Sequence, residues 1–166
     1  MSSTDLAVLL FRGVIGAVFL AHGLNHIFGG GRLRGTGEWF AGLGMRPGYA
    51  HAVVASGVEV ASGVLLVLGL FTPVAGAGVV GTMVVAWVIN HVRNGFFVFR
   101  PGEGYEYVMV LVASGLVLAG TGPGRISFDR LIGISQPGWM GFLTGLSGAV
   151  GAALLLALCW RPSASR

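Results

Sequence analysis

The sequence predicts an all-α integral membrane protein: a four-span helical bundle, a fifth C-terminal span, and a short interfacial helix after the first span. Three observations predict it. Hydrophobic residues make up 54% of the 166 and charged residues only 10%, with a mean hydropathy of +0.83. A soluble domain carries about 25% charged residues, so this chain has too few to cover a water-facing surface. Five apolar runs approach the roughly 17–25 residues that cross a bilayer. All ten cations are arginines, set mostly in the connections between those runs. That placement points to anionic lipid headgroups as the partner of the positive charge, and away from nucleic acid.

The runs are Leu6–Phe28, Ala52–Leu70, Val74–Asn90, Glu106–Thr121 and Gly138–Trp160. The first reads as a retained span, since no cation precedes it and Arg12 interrupts it, unlike a cleaved secretory signal. Between the second and third runs stand only Gly69, Leu70, Phe71, Thr72 and Pro73. Pro73 suits a first helical position, so these two spans are antiparallel neighbours. The fourth is short. Its uncharged stretch from Tyr107 to Gly120 reaches only ~21 Å at the helical rise, which draws Tyr105 and Glu106 toward the interface. Trp139 and Trp160 bracket the fifth span as interfacial anchors.

The long connection from Gly29 to His51 opens with three glycines. Neither the strand nor the Gly-Lys-Ser/Thr of a phosphate loop accompanies them. Thr36 is placed to cap a short helix, with Glu38 near its positive end and Trp39, Phe40 and Leu43 on its apolar side. Glycines inside the spans (Gly13, Gly16, Gly23, Gly57, Gly63, Gly76 and Gly81) promise close helix packing where lipid supplies no hydrophobic drive. The single cysteine, Cys159, excludes an intramolecular disulfide and a Cys-x-x-Cys redox pair. It reads as a small buried apolar residue.

Ionisable residues are not scattered through the spans. Call side B the face bearing the connections after spans one and three, with the C-terminus; side A is the other. Side B holds Arg32, Arg34, Arg46, Arg93, Arg100, Arg161 and Arg166, against Arg125 and Arg130 on side A. The positive-inside rule then places side B in the cytoplasm and the N-terminus outside. His22 lies ~9 Å below the side-B end of its span and Glu59 ~10 Å below the same face, so the two are level. Asn25, His26, Asn90, His91, Arg93, Tyr105, Glu106 and Tyr107 lie nearer side B, and Arg12 alone lies toward side A.

A charge near the bilayer centre costs about 3 kcal/mol on insertion scales. Glu59 is too short to snorkel, so it must be protonated, paired or facing a wet pocket. His22 is its nearest partner at matching depth, with His26 one turn away. Ser56, Ser62 and Gly63 make the same face of span two small and polar. Other readings stand beside this one. Glu59 can be a purely structural buried acid. His22 and His26, at i and i+4, can bind metal or haem, although no third ligand follows at a recognisable spacing. Arg12 snorkels to side A or caps a helix end. Arg93 and Arg100 set topology first, and Tyr105 and Tyr107 can be belt aromatics.

Together these residues resemble the DoxX family of small bacterial membrane proteins, over about residues 8–133. Span one carries Arg12, Gly16, Phe19, His22 and Gly23; span two carries Glu59, Gly63, Leu66, Gly69, Leu70 and Thr72. Asn94, Gly95, Phe96 and Phe97 follow span three, Glu106 and Tyr107 open span four, and Gly122, Pro123, Gly124, Arg125, Ser127 and Asp129 close the core. His26 stands where family members often carry a lysine. The resemblance implies residues 1–133 as a four-span domain; it does not extend to residues 134–166, which read as an additional C-terminal span and short tail. It also implies a multi-pass protein of the bacterial plasma membrane that works as a component of an oxidoreductase system.

The expectation drawn from residues and resemblance together is a redox-associated membrane subunit, in contact with the bilayer and with protein partners of a membrane complex. It would hold a quinone-like headgroup near side B. His22 and Glu59 would hydrogen-bond or pass protons to the carbonyls, with Asn25, His26, Asn90, Glu106 and Tyr107 binding and orienting the ring. A ring at that depth needs protons from water, which an imidazole and a desolvated acid can carry. Metal and haem are disfavoured. Two rivals remain: a non-catalytic scaffold that recruits partners through the fifth span or the Trp39 segment, and a binder or transporter of a small hydrophobic solute.

Overall fold

The computed structural model describes residues 2–162 and is helical throughout, in the order α1 (Ser3–Phe28), α2 (Arg32–Gly42), α3 (Gly48–Leu68), α4 (Thr72–Ala86), α5 (Glu106–Thr121), α6 (Phe128–Leu131) and α7 (Trp139–Cys159). Arg166, counted above on side B, lies outside the described residues. α4 runs on through a π-helical turn, Trp87–His91, and a 3-10 turn, Val92–Asn94. The helices α1, α3, α4 with its extension (Thr72–Asn94), and α7 are long and apolar enough to cross a membrane. α5, at 16 residues, is shorter and packs against both α4 and α7.

α1 packs on α3, α3 on α4, and α4 on both α5 and α7. Each of the three principal interfaces is a glycine contact. A Cβ on Gly16 would lie 2.8 Å from the Gly63 carbonyl oxygen, one on Gly76 2.7 Å from that of Gly115, and one on Gly81 3.1 Å from that of Gly148. Absent side chains let the backbones approach, and dispersion between them replaces the hydrophobic drive that lipid removes. Gly13 and Gly57, although inside spans, face open space. They contribute no helix contact.

Side A is sealed by hydrogen bonds. Arg12 on α1 is 2% exposed, and its guanidinium donates to the carbonyls of Leu66 and Val67, each at 2.6 Å, and to that of Ile126. It therefore caps the α3 C-terminus, where a cation complements unpaired carbonyls and the helix dipole. Asp129 complements the next helix. Its carboxylate accepts from the amides of Phe71 at 2.7 Å and Thr72 at 3.0 Å, at the positive end of α4. Gly69 between them has φ +66, and a side chain there would strike both Arg12 and Ser127. Only glycine fits. Pro73 sits in the first turn of α4, as its fixed φ favours.

Two expectations need correction. Thr36 does not cap the interfacial helix. α2 starts at Arg32, after Gly31, and the Thr36 hydroxyl donates back to the Arg32 carbonyl at 3.1 Å within the second turn. The N-cap is a glycine, for which sequence offers a weaker signal than a hydroxyl. The span-two helix also begins at Gly48, four residues before the apolar run, because its first turn packs on α2, where Gly48 and Gly37 nearly touch. The α2–α3 connection then clasps the end of α7: the Arg46 amide donates to Cys159, the Arg161 amide to Gly44, and the Trp160 indole to Leu43.

Replacing Arg12 by alanine should lower stability by on the order of 3 kcal/mol, because the charge-assisted bonds to three carbonyls that tie α1 to α3 and the 122–132 loop are lost. Arg12→Lys should recover little of this, since an ammonium lacks the planar fork. Thermal unfolding of detergent-purified protein measures both, and a lysine variant as stable as wild type would contradict the capping role.

Candidate functional site

Toward side B the bundle opens into a cavity of about 490 Å³, walled by α1, α2, α3, α4 and its π-helical turn, α5 and α7. All four histidines of the chain line it: His22, His26, His51 and His91. So do Glu59, Asn90, Glu103 and Tyr107. Most of the remaining wall is apolar.

Glu59, 5% exposed, projects from the middle of α3. Its Oε2 lies 3.1 Å from Nδ1 of His26, ion-pair distance without good hydrogen-bond alignment. The partner is therefore His26, not His22 as equal depth suggested. Helix direction explains the difference. Side chains lean toward the N-terminus of their own helix. α3 starts at side B, so Glu59 leans toward side B, whereas α1 starts at side A, so both imidazoles lean away from it. The residue nearer side B meets the acid, and His22 is carried past it. Gly23, packed against Glu59 and Val60, lets α1 come close enough for that contact.

Asn90 and His91 occupy the π-helical turn that ends α4. Such a turn shifts the residues after it around the helix, and here it aims two polar side chains into the cavity. His91 Nδ1 donates to the Glu103 carbonyl at 2.8 Å, so its Nε2 is left to accept from the Asn90 amide at 3.2 Å. The connection from Gly95 to Tyr105 is held in place by Asn94, whose side-chain amide reaches the carbonyls of Asn90, Gly102 and Glu103. Tyr105 stacks on Trp87 at 5.4 Å. His51 contacts the Arg46 carbonyl at 3.3 Å.

Five of the seven residues expected at the site line this one cavity: His22, His26, Glu59, Asn90 and Tyr107. Two do not. Asn25 lines a neighbouring groove, shared with His26, Trp39 and the glycines of the connection, and not the cavity. The Glu106 carboxylate accepts from the Val98 amide at 2.9 Å and so holds the preceding loop. His51 and Glu103 were not singled out, because each stands just outside an apolar run. Their signal was their residue type alone. Among the described residues no group of three His, Cys, Asp or Glu converges as a metal site.

Fold and site together define a multi-pass helical membrane protein with a polar-lined cavity opening at one end. The DoxX family model matches residues 7–92, just over half the chain. The protein belongs to the DoxX family. It is also similar to "Putative oxidoreductase CatD" of Bacillus subtilis (strain 168), with 28% identity over 119 residues, covering 72% of this chain and 83% of that protein. No solved structure matches the chain. The match ends inside the 3-10 turn after the α4 π-turn. It thus takes in α1–α4, with His22, His26, Glu59, Asn90 and His91, and leaves α5 and α7 outside.

A double-mutant cycle tests the pairing. His26→Ala with Glu59→Gln should show a coupling of about 0.5–3 kcal/mol in unfolding free energy, and His22→Ala with Glu59→Gln should be near additive. The reverse ranking would mean that His22 is the partner.

Proposed function

We propose that this protein is the membrane subunit of a redox system and that its side-B cavity binds a quinone-like headgroup. The observation that carries the reading is the convergence of every histidine in the chain on one membrane cavity, together with a buried acid paired to one of them. Structural polar seams need partners, but they do not need room beside them. A volume of about 490 Å³ is in the usual range for a small-ligand site.

The residues present suit such a headgroup. Its carbonyl oxygens accept hydrogen bonds, and its reduction by two electrons from a partner protein takes up two protons. His26 can donate to one carbonyl while Glu59 holds the imidazole and resupplies its proton. Asn90, held by His91 and the Glu103 carbonyl at the solvent end of α4, can offer its amide as a further hydrogen-bond donor, with water from side B as the source of protons. His22 and Tyr107 offer further donors. The similarity to a protein named as an oxidoreductase supports the redox association. Seven side-B arginines against two on side A support a cytoplasmic side B in a bacterial plasma membrane.

The largely apolar wall also favours a second reading, a binder of a small hydrophobic solute without redox chemistry. Titration of the purified protein with a water-soluble benzoquinone separates the two. Wild type should bind it, and Glu59→Gln and His26→Ala should each weaken binding by roughly tenfold to a hundredfold, as for loss of a charge-assisted hydrogen bond. Absence of binding to wild type, or an unchanged affinity in Glu59→Gln, would overturn the quinone reading.

A further inference from the structure

The cavity has two chemically different ends. The polar end is walled by α1, the π-helical turn and the start of α5, with His22, His26, Asn90, His91 and Tyr107. The far end is walled by α7, whose contributions are Gly148, Gly151, Ala152 and Leu155, with Gly81 of α4 against Gly148. No polar side chain comes from α7. α1 and α7 do not pack on one another as α1 does on α3 or α4 on α7, so one continuous space bridges two helices that the fold keeps apart.

The glycines at that end differ among themselves. A Cβ on Gly148 would collide with the Ala77 carbonyl oxygen at 2.1 Å, so Gly148 is needed for the α4–α7 contact. Gly151, one turn nearer side B, would meet nothing within 4 Å. Packing does not require a glycine there, yet it keeps the cavity wall bare. Gly151 stands in a stretch of wall made only of glycine, alanine and leucine from α7, where water gains little and an alkyl chain is at home. We propose that the α7 end of the cavity receives the hydrophobic tail of the ligand whose headgroup binds at His26 and Glu59, so that the added fifth span selects for tailed over tailless ligands.

This inference rests on the headgroup reading above and adds an occupant for the apolar end. Gly151 lines the cavity and a Cβ there meets nothing within 4 Å, so leucine at position 151 adds bulk to that wall without disturbing the helix contact. Gly57 supplies the control: a Cβ there also meets nothing within 4 Å, and Gly57 does not line the cavity.

The test is equilibrium binding of a tailless benzoquinone and its decyl analogue to the full chain in detergent, each variant referred to wild type so that partition into micelles cancels. Gly151→Leu should weaken the decyl compound by about tenfold or more and leave the tailless one within about twofold, the scale on which a filled apolar pocket discriminates. Gly57→Leu should change neither, and Glu59→Gln should weaken both. Equal effects of Gly151→Leu on both ligands, or no effect on either, would overturn the tail assignment while leaving the headgroup site standing. Failure of both quinones to bind wild type would overturn the headgroup reading and the tail with it. A co-purified phospholipid lost only from Gly151→Leu, with quinone affinities unchanged, would assign the space to lipid instead.

Discussion

One guanidinium organises the closed end of this bundle. Arg12 sits inside the apolar first helix, and burial there is tolerable only because three carbonyls surround it. The same contact ends α3, seats the loop at Ile126 and presses on Gly69, while Asp129 in that loop starts α4. Cation at a helix C-terminus and anion at the next N-terminus complement the dipoles of both helices. With α1, α3, α4 and the 122–132 loop tied at side A, the cavity lies toward the other end of the bundle.

At the open end the polar groups are disposed by helix direction more than by depth. The antiparallel run of α1 and α3 makes their side chains lean in opposite senses. It brings Glu59 and His26 together and leaves His22 on the wall as an unshared imidazole. The π-helical turn adds Asn90 and His91 from a third helix. A buried acid tied to one histidine beside three others, in a space with apolar walls, suits a ligand that is polar at one end and hydrophobic at the other.

The family assignment and this geometry bear on different parts of the chain. The matched segment carries the Arg12 contacts to α3, the His26–Glu59 pair and the Asn90–His91 pair. The apolar end of the cavity is walled in part by α7, outside that match. The four histidines and Glu59 thus belong to the shared part, and the apolar α7 wall to the added helix.

The membrane class, the five apolar runs, the tight turn at Pro73 and the clustering of ionisable residues toward one face were all legible in the sequence. Composition and the roughly 17–25-residue span length leave few alternatives for such a chain. Five of the seven residues grouped by depth line one cavity, since depth is a simple count along a helix. What the count could not supply is direction around and along the axis. It could not tell His26 from His22 as the partner of Glu59, nor see that Glu106 turns away to hold Val98. It gave no sign of the π-helical turn, of Arg12 reaching the end of α3 54 residues on, or of α7 walling the cavity. Those outcomes depend on which helices pack and which way each runs. Only the tertiary structure decides them, because lateral packing of glycine-lined helices is a property of pairs of segments and not of either segment by itself.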